Sequence, residues 1–123
     1  MEKTFLLLAS IFSALAVALG AFGAHALENR LSADLLSTYE VGVRYHFYRA
    51  LALLGVAAVI SRWPEASAAT WAGWLFVVGI LIFSGSLYIL AFTGIRWLGA
   101  ITPIGGVAFI SGWLCLAWVA WRA

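Results

Sequence analysis

Few side chains in this 123-residue sequence are equipped for chemistry, and most of them crowd into one stretch. Glu40-Val41-Gly42-Val43-Arg44-Tyr45-His46-Phe47-Tyr48-Arg49 places a carboxylate, two guanidiniums, two phenols and an imidazole in ten residues. Further polar groups embedded in apolar sequence are His25, Ser84, Ser86, Tyr88 and Thr102, followed by Pro103, Gly105 and Gly106. A serine nucleophile needs an adjacent base and its orienting acid, and neither Ser84 nor Ser86 has a local motif of that kind. A metal site is not expected: the two histidines are far apart, no carboxylate stands at ligand spacing, and Cys115 is alone. A haem would take an axial histidine deep in a helix, whereas His25 and His46 lie near helix ends. No G-x-x-x-x-G-K run exists to cradle phosphate. The reading is therefore of no catalytic, metal or cofactor-binding residues, no cofactor and no enzyme.

What must position these groups is a set of four apolar runs, Phe5–Ala24, Val41–Ile60, Thr70–Phe92 and Leu98–Trp121. Each is about 20 residues or longer, enough for a helix to cross a hydrocarbon layer of ~30 Å. Hydrophobic residues make up 65% of the chain and charged residues 10%, against about 25% charged in a soluble domain. The expected fold is an all-α membrane protein, one domain over 1–123. Its four transmembrane helices, at about 4–25, 40–61, 68–93 and 98–121, form an up-down bundle. Net charge is +2, from single cations that are never adjacent, so neither a nucleic-acid surface nor a polybasic lipid-binding tail is expected. The opening Met1-Glu2-Lys3, apolar stretch and Ala24-His25-Ala26 imitate a cleavable leader. The apolar stretch is too long for one, and the segment reads as the first span.

The connectors carry their own signals. Between the first two spans, Leu31, Leu35, Leu36 and Tyr39 recur at helical spacing after Ser32, a suitable N-cap. They predict a short amphipathic helix at the interface, with continuation straight into the second span as the variant. The second span ends at Ser61-Arg62-Trp63-Pro64, and the third at Thr93-Gly94-Ile95-Arg96. Pro103 removes a donor and clashes with the Gly99 carbonyl, so a break is expected in the first turns of the fourth span. Ala16, Gly20 and Ala24 form a small-residue stripe suited to close helix approach. Trp63, Trp71, Trp74, Trp118 and Trp121 fall at one membrane face and Trp97 at the other, as in an aromatic belt. Cations divide almost evenly between the faces; both termini are assigned to the cytoplasm.

Arg49 lies eight residues, or ~12 Å, inside a span that starts at Val41. An arginine there costs from ~3 to ~10 kcal/mol or more before compensation, and it cannot shed its charge. Topology brings His25, Tyr45, His46, Arg49, Ser84, Ser86, Tyr88 and Thr102 to the same end of the bundle. With no carboxylate at that depth, Arg49, Tyr45 and the Gly99–Gly106 segment are expected to form a buried polar node. Hydroxyls and the loosened Gly99 carbonyl would be the acceptors. Such a node serves as glue or register device more often than as a working site.

Four ordered segments resemble a known family: Gly20-Ala21-Phe22-Gly23-Ala24-His25-Ala26-Leu27, Arg49-Ala50-Leu51-Ala52-Leu53-Leu54, Phe83-Ser84-Gly85-Ser86-Leu87-Tyr88 and Thr102-Pro103-Ile104-Gly105-Gly106. This is the bacterial family catalogued as domain of unknown function 423, similar to eukaryotic transmembrane protein 256. The resemblance implies a four-helix, multi-pass protein of the bacterial cytoplasmic membrane. It brings no activity, substrate or cofactor, and relatives typically carry histidine where this chain has Arg49. Two functions stay open. One is an accessory or scaffold protein working through membrane lipids, a homo-oligomer or a larger membrane complex. The other is binding or transport of a small solute, ion or lipid headgroup around Arg49 and the Pro103 break.

Overall fold

The computed structural model describes residues 1–123 and is helical almost throughout. Helix α1 spans Glu2–Phe22 and continues through a π-helical turn at Gly23–Leu27. After a short turn, Ser32 caps α2, its Oγ accepting from the Leu35 amide at 3.2 Å, and Asp34 adds a favourable charge to the first turn. Helix α2 then runs unbroken from Ala33 to Arg62. At 1.5 Å per residue that is about 45 Å, well over the hydrocarbon thickness. The amphipathic stretch is thus not a separate helix; it forms the first turns of α2. Tyr39 explains the continuity: it is buried against Leu27 and Ala91, with Leu19, Leu31, Leu36, Val43 and Tyr88 packed around it.

Pro64 disfavours helical geometry at the residue before it, and Trp63 leaves the helix with φ −131° and ψ 75°. The third span is α3 (Ser67–Gly79), a π-helical turn at Ile80–Ser84, and α4 (Gly85–Thr93). Gly94 ends it in the left-handed region at φ 71°, where glycine bears no Cβ penalty. A 3₁₀ segment, Arg96–Ala100, leads to α5 (Thr102–Arg122). Pro103 sits in the first turn of α5, where its missing N–H has no intrahelical acceptor to lose. The expected break therefore takes the form of a change from 3₁₀ to α helix just before the proline. All four spans are long and apolar enough to cross a membrane.

In the packing, α1 lies along α2, α2 along the third span, and α3 along α5, while α1 and α5 share no extended contact. Lipid is as apolar as leucine, so helices adhere here by close van der Waals approach. Aromatic rings seated on glycines supply it. Phe5 covers Gly73, Phe76 covers Gly112, Phe109 covers Gly79, Tyr88 covers Gly42 and Tyr39 covers Gly23. Phe5, Leu53, Val56 and Phe76 are fully buried in the main cluster. Of the small-residue stripe, Ala16 is buried and Gly20 faces Val43. Ala24 is exposed, because the π-turn's i→i+5 bonding slips it around the axis.

Candidate functional site

Helix α2 shows two faces to the site. Gly42, His46, Ala50 and Leu53 recur at helical spacing and are buried against the rest of the bundle. His46 Nδ1 lies 2.8 Å from the Tyr88 hydroxyl of α4, and the ring meets Phe12 of α1 edge-on at 5.9 Å between centroids. Its Nε2 is buried without a hydrogen-bond partner. Two turns before His46, towards the connector, the Tyr39 hydroxyl donates to the Leu19 carbonyl at 2.6 Å. The π-turn before α4 delivers Ser84, whose Oγ donates to the Gly42 carbonyl at 2.8 Å.

A second group ties α4 to α5. The Thr102 and Ser86 hydroxyls are 2.6 Å apart, and Ser86 Oγ donates on to the Phe83 carbonyl at 2.9 Å. Gly105 packs its backbone against this π-turn so closely that an added Cβ would stand 2.6 Å from the Phe83 nitrogen. Pro103 itself is exposed, and Gly106, half-buried, faces open space.

Arg49 belongs to the other face of α2 and is half-buried. Thirteen residues, or about 20 Å, separate it from Arg62 at the end of the helix, which places it deep in the span. Its guanidinium carbon lies 4.7 Å from the centroid of Phe109 on α5 and 5.8 Å from that of Tyr45. Phe83 joins the two rings, 5.2 Å from Tyr45 and 5.5 Å from Phe109. No hydroxyl, carbonyl or carboxylate of the chain bonds the guanidinium, and Nε is buried without a partner. The expected acceptors are not used: Ser86 pairs with Thr102, Ser84 donates to the Gly42 carbonyl, Tyr88 meets His46, and Gly99 lies exposed in the 3₁₀ segment. Stacking on a ring is worth about 2 kcal/mol when desolvated. Two such contacts do not offset the upper range for a mid-membrane arginine, ~10 kcal/mol.

The structure therefore divides the expected node. His46–Tyr88, Ser84–Gly42 and Ser86–Thr102 are internal helix ties, Arg49 with Tyr45 is an aromatic-walled site, and His25 stands exposed in the first π-turn, apart from both. Tyr39, Phe83 and Phe109 are the packing neighbours of these groups that sequence reasoning left out. Phe109 had a signal: an arginine with no carboxylate at its depth calls for an aromatic face. Two open surface grooves, of about 380 and 360 Å³, lie towards the terminal end, and no residue of the expected node lines either.

A family model described as a protein of unknown function (DUF423) matches residues 19–106. The chain is 50% identical over 114 residues to the UPF0382 membrane protein YwdK of Bacillus subtilis, covering 93% of each chain. It is 53% identical to the UPF0382 membrane protein SSP2132 of Staphylococcus saprophyticus, again over 93% of each. The UPF0382 membrane protein SH2409 of Staphylococcus haemolyticus is 50% identical, over 93% of this chain and 92% of the relative. No solved structure matches the chain.

Proposed function

The chain belongs to the DUF423 family of membrane proteins, and from that membership we propose that it is an accessory protein of the bacterial cytoplasmic membrane. In this reading both termini are cytoplasmic, and the protein holds a second copy or a larger membrane protein through the face around Arg49. The observation that carries the reading is the guanidinium deep in the span, walled by Tyr45 and Phe109 and unpaired within the chain. A partner's carboxylate or free carbonyl in the same layer would supply the missing acceptor, and the charge would make docking specific. The outer faces of α1 and α5 supply apolar area: Leu7, Ile11, Ile104, Val107 and Leu114 are all exposed.

The test is photocrosslinking in native membranes from a reactive side chain at Tyr48, which is exposed beside Arg49. Wild type is expected to give a defined crosslinked species that disappears in Arg49→Leu while the variant stays folded. An uncrosslinked monomer in native membranes, or an unchanged product in Arg49→Leu, would remove the proposal.

A second reading, a lipid headgroup or small anion at Arg49, is favoured by Arg44, Tyr45 and Tyr48. They stand on the same side of α2 and form a polar path from the connector towards Arg49. Loss of a co-purifying anionic lipid in Arg49→Leu, with crosslinking unchanged, would select it.

A further inference from the structure

The two grooves at the terminal end are neighbours, and they differ in chemistry. The first lies between the α2–α3 connector and the last turns of α5, and is lined by Trp63, Glu65, Ser67, Trp118 and Arg122 over an alanine and valine floor. The second is a shallow, open groove on the lipid face of α5, lined only by the apolar side chains of Leu114, Ala117, Trp118 and Trp121. Trp118 is a wall of both. One ligand with a polar head and an apolar tail would fill the pair, and the tryptophans set the first groove at the level where lipid headgroups sit.

Charge in the first groove narrows the head. Glu65 and Arg122 both line it without pairing, for the molecule's one ion pair is Arg96–Asp34 at the opposite end. Arg122 rests on Trp118 with its guanidinium carbon 5.6 Å from the ring centroid, and Arg62 rests on Trp63 at 5.0 Å. The two indole faces thus already carry cations, and it is the free Glu65 carboxylate that attracts an ammonium, while the Arg122 guanidinium matches a phosphate. We infer that this pair of grooves binds one zwitterionic phospholipid. Its ammonium lies at Glu65, its phosphate at Arg122, and an acyl chain runs along Leu114, Trp118 and Trp121. An anionic headgroup would set negative charge against Glu65 and is disfavoured.

Native mass spectrometry tests this on the whole protein released from nanodiscs of equal phosphatidylethanolamine and phosphatidylglycerol. Wild type should retain the zwitterionic lipid in about five-fold preference, the scale of one half-screened ion pair. Glu65→Gln should bring the two lipids to parity, and Arg122→Gln should lower retention of both. Both residues are exposed, so thermal unfolding should not change and serves as the folding control. Millimolar free phosphoethanolamine should leave the lipid bound. Parity in wild type, an undiminished preference in Glu65→Gln, or displacement by phosphoethanolamine would each overturn the inference, the last by pointing to a soluble ligand.

Discussion

His46 and Arg49 stand three residues apart on α2 and meet opposite surroundings. The imidazole is buried and held by a neutral phenol, an arrangement that tolerates lipid depth because either group can donate. Tyr88→Phe removes that partner and leaves Nδ1 unsatisfied, which should cost about 1–2 kcal/mol. A double-mutant cycle with His46→Leu, read by denaturant unfolding in detergent, should return a coupling of roughly 0.6–1.7 kcal/mol. No coupling would mean the two side chains act separately. At Arg49 the expected order of monomer thermal stability is Leu above Arg above Lys. Leucine removes an unpaired, half-buried charge at membrane depth, whereas an ammonium is more strongly hydrated and stacks less well. Thermal unfolding in detergent checks the order, and arginine at the top would reveal an internal acceptor.

The π-turn at Ile80–Ser84 is the element on which the site depends. It brings Ser84 to the Gly42 carbonyl and turns Phe83 towards Tyr45 and Phe109. Gly105 is the residue that lets α5 reach it. In Gly105→Ala the new Cβ meets the Phe83 nitrogen and Cα at 2.6 and 2.9 Å, backbone atoms that cannot rotate aside. A loss of about 1–3 kcal/mol is expected. Gly106→Ala has nothing within 4 Å and should be neutral or gain up to about 1 kcal/mol from helix propensity. Equal melting temperatures for the two variants would show that the close contact is not maintained. Neither π-turn was legible in the sequence, since a shift from i→i+4 to i→i+5 bonding leaves no mark in composition. With that shift His25 stands outward, and the Ser84 hydroxyl donates to the Gly42 carbonyl instead of accepting from Arg49. By contrast, Ser32, Pro64 and Gly94 were readable as helix limits because capping, ring sterics and left-handed geometry act locally. Tyr39 was read as interfacial from its amphipathic spacing; its burial depends on α1 and α4, which local pattern does not contain.

At the scale of the whole molecule, length and hydropathy were enough for four spans and their order, while the partners of each polar group were not, because lipid-facing and buried runs have the same composition. The topology sets Glu28 and Arg96 on one side and Glu65 on the other. In a Cys115→Ala background, cysteines at 28 and 96 should react with an impermeant thiol reagent from the same face of sealed vesicles, and a cysteine at 65 from the opposite one. Labelling of all three from one face would refute the four-span arrangement. The contact of Phe5 with Gly73 has a consequence in time. A ribosome makes the amino end of α1 early, yet the groove that receives its ring belongs to a segment emerging two crossings later. The amino end of α1 is thus fastened only after the third span arrives, and the nascent α1–α2 hairpin must wait in the bilayer for its clasp.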